Sequence, residues 1–96
     1  MKNSQEIILE CLNQYFSDEL DMNFDKNDLE TRLFGGGGPI DSMGLVVLLV
    51  EIEEAIEEKF DIEITIASEK AMSRRTSPFI SVKYLIEFIN ELINDE

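Results

Sequence analysis

Apolar residues recur at helical spacing in three stretches of this 96-residue chain, whereas strand-like alternation occurs in one run that has nothing to pair with. That run is Phe60-Asp-Ile-Glu-Ile-Thr65. A lone strand leaves a row of backbone donors and acceptors without partners, so it cannot found a sheet. It is expected to be an extended link, and helices must supply the fold.

Segment one covers about residues 4–16, where Ile8, Cys11, Leu12 and Tyr15 share a face and Gln5, Glu6, Glu10 and Asn13 form the outer one. A long connection, residues 17–38, follows. It carries Leu20, Met22, Phe24, Leu29, Leu33 and Phe34, too many apolar groups for a free linker. They are expected to pin it to the helices, with a short helical turn over residues 28–33. Segment two starts with Asp41 as N-cap and continues to about Lys59. Its inward stripe is read as Met43, Val46, Val47, Val50, Ile52 and Ile56, with Glu51, Glu53, Glu54, Glu57 and Glu58 outside. Residues 68–72 allow a short third segment. Segment four begins near Ser81, a candidate N-cap, and runs to about Asn94 on Val82, Leu85, Ile86, Ile89, Leu92 and Ile93. The expected fold is an all-α bundle in one domain, residues 1–96, of three long helices and one short, with a long first loop.

Charge narrows the function. With 21 acidic residues against 8 basic ones, the net charge of −13 argues against nucleic acid, which is held by lysine and arginine. It suits solubility, and it also suits steering toward partners with basic patches. No apolar run approaches the ~20 residues of a membrane span. Residues 1–10 hold no apolar core preceded by positive charge, as an export signal would. The single cysteine, Cys11, excludes an internal disulfide and falls among apolar neighbours as a small buried hydrophobe. A monomer in a reducing cytoplasm is the expectation.

Three motif readings fail on chemistry. The run Gly35 to Gly38 is followed by Pro39-Ile40 rather than by lysine and a hydroxyl residue, so it is a turn and not a nucleotide loop. Ser42 is followed by Gly44 but lacks the first glycine of a nucleophile elbow, where Ile40 stands, and a chain without histidine has no imidazole to take its proton. No catalytic residue is assigned, and no enzyme is read. Asp21-Met-Asn23-Phe-Asp25 begins like a calcium loop, yet Lys26 stands where glycine is needed and Arg32 where a glutamate is needed. No metal site is read.

What remains is Asp41-Ser42-Met43, at the junction of the glycine loop and segment two. A helix start offers unpaired amides and a positive dipole end, which favour an anion such as a phosphate ester on Ser42. Ser42 as a mere helix-capping residue fits the same position equally well.

Asp41-Ser42-Met43, the apolar helix with Glu53-Glu54, the Phe60-to-Ile64 link and Ser81-Val-Lys-Tyr-Leu-Ile-Glu-Phe-Ile89 together resemble the acyl/peptidyl carrier protein family over nearly the whole chain. The resemblance implies a four-helix bundle of the acyl carrier protein type. It implies that Ser42 receives 4'-phosphopantetheine from coenzyme A through a magnesium-dependent phosphopantetheinyl transferase, which reads Asp41 and Met43. It further implies docking through Glu51, Glu53, Glu54 and Glu57 to acyl-activating or acyl-transferring enzymes with basic patches. The chain departs from the pattern at Pro39, where the family usually has glycine, and at Val47, where many fatty-acid carriers have glutamate. The 67–79 connection is also longer and holds Arg74-Arg75. A specialised carrier is therefore expected, with an unmodified helical adaptor acting through segment two as the alternative.

Overall fold

The computed structural model describes residues 4–35, 37–66 and 79–94. Among these residues it has three α-helices and no strand: α1 (Gln5–Asp18), α2 (Ser42–Phe60) and α3 (Val82–Asn94). The all-helical expectation holds for them. The short segment at residues 68–72, and Arg74-Arg75, lie outside the described residues.

Helix α1 packs against both α2 and α3. Ile8, Leu12, Tyr15 and Phe16 are its buried face, one or two turns apart as a 3.6-residue period requires. Its start is tied to α3 across the molecule: buried Ser4 donates to Asn90 Oδ1 through both its amide and its hydroxyl, at 2.9 and 2.8 Å. The Ser4 hydroxyl therefore joins two helices and does not cap its own.

Helix α2 is bounded as its ends dictate. Asp41 is extended (φ −89°, ψ 178°), and its Oδ1 accepts the Gly44 amide at 2.7 Å, the bond of an N-cap. At the other end Asp61 turns left-handed (φ 56°) and returns its amide to the Glu57 carbonyl at 2.8 Å. The buried face, however, is Leu45, Leu48, Leu49, Ile52 and Ile56. The expected stripe was wrong over its first two turns: Met43, Val46, Val47 and Val50 are exposed. Residues 43–50 are apolar on every side of the helix, so spacing there supports two stripes at once. Ile52 and Ile56 decide between them, because 45, 48 and 49 lie seven, four and three residues before Ile52.

Helix α3 buries Val82, Leu85, Ile86, Phe88, Ile89 and Ile93. Leu92, expected inside, is half-buried, while Phe88 is fully buried and meets Phe79 edge-on, with centroids 6.3 Å apart. The long first connection is pinned as expected by Leu33, which is fully buried, and by half-buried Leu20, Phe24, Leu29 and Phe34. Met22 is the exception and faces solvent. The short helical turn expected at residues 28–33 does not form. Successive turns close at Asp28 N to Asp25 O and Thr31 N to Asp28 O, and the chain then straightens. Leu33 donates to Ile80 O at 2.9 Å and Ile40 donates to Leu33 O at 3.0 Å. One extended stretch thus fastens the entry of α2 to the entry of α3.

That stretch also alters the start of α3. Thr31 O and Leu29 O accept the Val82 and Lys83 amides at 3.1 and 2.9 Å. Ser81 lends its carbonyl to Leu85, but its Oγ makes no capping bond. The side-chain cap expected of Ser81 is replaced by loop carbonyls. The link after α2 holds no helix or strand, although Phe60, expected to begin it, closes α2 and Asp61 turns left-handed; in it buried Ile64 and Ile66 alternate with exposed Glu63 and Thr65.

Candidate functional site

Ser42 is the first residue of α2 and is exposed. The cap bond at this end belongs to Asp41, and the Ser42 hydroxyl makes no hydrogen bond among the described residues. The capping role weighed for Ser42 thus falls to Asp41. Asp41 is exposed too, and Met43 is 81% exposed. All three residues of the motif are accessible from outside at one helix end, where the dipole favours an anion.

The loop before the motif is shaped by close backbone approach. Gly38 donates to Gly35 O at 2.8 Å, and a side chain at Gly38 would strike the Leu33 carbonyl. Gly44, in the first turn of α2, is required for a similar reason. A methyl there would collide with Tyr15 Oη, with Asp41 Oδ1 the next nearest atom at 3.0 Å. Tyr15 is a buried residue whose phenol thus braces the entry of α2 from below. Burial first, then the charges of Asp41, Glu19 and Glu51, raise its pKa above the ordinary phenol value.

A second feature adjoins Ser42. Met43, Val46, Val47 and Val50 are 81%, 59%, 48% and 45% exposed and run along one side of α2 from the Ser42 end. Sequence periodicity had turned these four inward. The signal that assigns them outward is the phase of Ile52 and Ile56. Farther along, Glu51, Glu54, Glu57 and Glu58 are exposed. Glu53 differs from them: it is half-buried, and its Oε2 accepts the Ile66 amide at 2.8 Å. It holds the link onto α2 rather than lying free among the surface acids.

Cys11 is half-buried, and its thiol is pushed up to about 11, by burial first and then by Glu51 and Glu10. A thiol so raised is protonated at neutral pH and is a poor nucleophile. In the acidic first loop, Asp25 Oδ1 accepts the Asn27 amide at 2.9 Å and Asp28 Oδ1 accepts the Glu30 amide at 3.1 Å. These carboxylates shape turns, and no group of three or more possible metal-ligating acids or cysteines is gathered among the described residues. No helix among them is long and apolar enough to cross a membrane.

Comparison with known proteins finds no matching family model, no matching curated protein and no matching solved structure.

Proposed function

We propose that this chain is a discrete carrier protein of the acyl/peptidyl carrier type, with that family's four-helix bundle. Ser42 takes 4'-phosphopantetheine from coenzyme A with the help of a separate phosphopantetheinyl transferase. The thiol of that arm holds an acyl or aminoacyl group as a thioester for partner enzymes in the cytoplasm. The chain itself does no chemistry: tethering raises the cargo's effective concentration at each partner's active site. The observation that carries the reading is an exposed Ser42 hydroxyl at the start of α2, left unused because Asp41 makes the cap.

The exposed apolar side of α2 supports a more specific view of the partners. Any protein that reaches Ser42 must cover Met43, and Val46, Val47 and Val50 continue the same side. A fitting partner offers an apolar hollow there and basic groups toward Glu51, Glu54 and Glu57. The same four residues favour a second reading, an unmodified adaptor that binds through α2 alone.

Intact-mass measurement after incubation with coenzyme A, magnesium and a promiscuous phosphopantetheinyl transferase separates the two. The carrier reading expects a gain of one phosphopantetheine, lost in Ser42→Ala. An unchanged mass, with a known carrier modified in parallel, would overturn it and leave the adaptor.

A further inference from the structure

At the start of α3, a cleft of about 290 Å³ is lined by Glu30, Arg32, Ile80, Ser81 and Tyr84. Neither the carrier nor the adaptor reading uses it. Ser81 is 5% exposed, and its buried Oγ has no hydrogen-bond partner among the described residues. A buried hydroxyl without a partner bears its full desolvation cost, which is unusual for a serine with helix amides close by. Arg32 is exposed and makes no ion pair among the described residues, although acids outnumber bases 21 to 8 in this chain.

The main chain under both charged residues on the rim is held by hydrogen bonds. Arg32 is bridged in antiparallel fashion to Ser81, so the residue with the orphaned hydroxyl lies directly opposite it, and both line the cleft. Glu30 is held by its amide's bond to Asp28 Oδ1, between Leu29 and Thr31, whose carbonyls bind the first amides of α3. An acid and a base therefore share one cleft without bonding to each other.

We propose that this cleft binds a small zwitterion, with a carboxylate and an ammonium a few bonds apart as in a free α-amino acid. Arg32 takes the carboxylate with its planar fork. Ser81, turned about χ1 into another staggered rotamer, donates its hydroxyl to the same group. Glu30 accepts from the ammonium, and the Tyr84 ring and Ile80 flank the carbon between them. A plain carboxylate would face Glu30 unneutralised and a plain amine would face Arg32, so each half alone is disfavoured. The site is independent of Ser42 modification.

Amide NMR titration of the unmodified chain tests this, with glycine, acetate and methylammonium as separate probes at constant ionic strength. Glycine is expected to give saturable shifts centred on residues 30–33 and 80–84, with either half-ligand weaker by about tenfold or more. Arg32→Gln, a change at an exposed position, should weaken glycine by a similar factor, and Glu30→Gln should bring acetate level with glycine. Ser81→Ala should weaken glycine while leaving the rest of the spectrum in place. No saturable shift in the millimolar range, acetate matching glycine in the native chain, or an Arg32→Gln variant that binds glycine as the native chain does would each overturn the proposal.

Discussion

Gly44 is where a single atom's absence lets the candidate site exist. Two effects of Gly44→Ala oppose each other. Alanine is the better helix former by up to about 1 kcal/mol, though less in a first turn than in a helix interior. Against this, the new methyl would overlap Tyr15 Oη, and Tyr15 is packed at 6% exposure, with little room to withdraw. Overpacking of that kind costs about 1–3 kcal/mol, so the collision wins. Gly44→Ala should lower the urea midpoint, and adding Tyr15→Phe should return most of the loss, because the phenol oxygen is what the methyl meets. An unchanged midpoint in Gly44→Ala alone would show that the Tyr15 contact is not tight.

At the scale of elements, the helices were legible because their apolar residues repeat with the right period. What periodicity could not settle was the rotation of α2, since residues 43–50 are apolar around the whole circumference. The acidic second half of the helix held the answer: Ile52 and Ile56 are the two buried apolar residues among the glutamates there, and they fix the inward direction for the turns before them. The Ser42 motif itself was legible, because a capping acid followed by a hydroxyl residue before a helix is a local pattern. The pairing of residues 32–34 with Ile40 and with residues 79–81 was not, since such bonds join backbone groups far apart in sequence. The same holds for Glu53, one glutamate among several by pattern and a tether by contact. Its carboxylate accepts the Ile66 amide at 2.8 Å, and Ile66 is fully buried. Hydrogen bonds to charged groups contribute about 1.5–3 kcal/mol, the lower end applying at a partly exposed position. Glu53→Ala should therefore lower stability by about 1–2 kcal/mol, whereas Glu54→Ala on the open face should change it by less than about 0.5 kcal/mol. Equal effects of the two variants in denaturant unfolding would remove the tether from the account.

For the whole molecule the governing quantity is its charge. A net −13 on 96 residues works against the compact state by self-repulsion, and α2 concentrates the problem with Glu54 one turn before both Glu57 and Glu58. These acids are exposed, so their repulsion acts through solvent and falls off over roughly 8 Å at physiological ionic strength. The core is a different matter, because its apolar contacts do not depend on simple salt in the same way. Sodium chloride is therefore the informative addition, since sulfate would also strengthen apolar burial by exclusion from the surface. Between low salt and about 0.5 M sodium chloride, repulsion is screened well inside the spacing of most surface charges. The thermal midpoint of the unmodified chain should rise on the order of 5 °C, the shift that about 1 kcal/mol produces in a domain of this size. Most of the rise should come at the dilute end, where the screening length changes fastest. Glu54→Gln combined with Glu57→Gln should raise the low-salt midpoint and shrink the salt response together, because both trace to the same pair of charges. A midpoint that is flat or falls across the chloride series would mean that local pairing already offsets the excess, and the acidic face of α2 would then carry no stability cost to be recovered when a basic partner covers it.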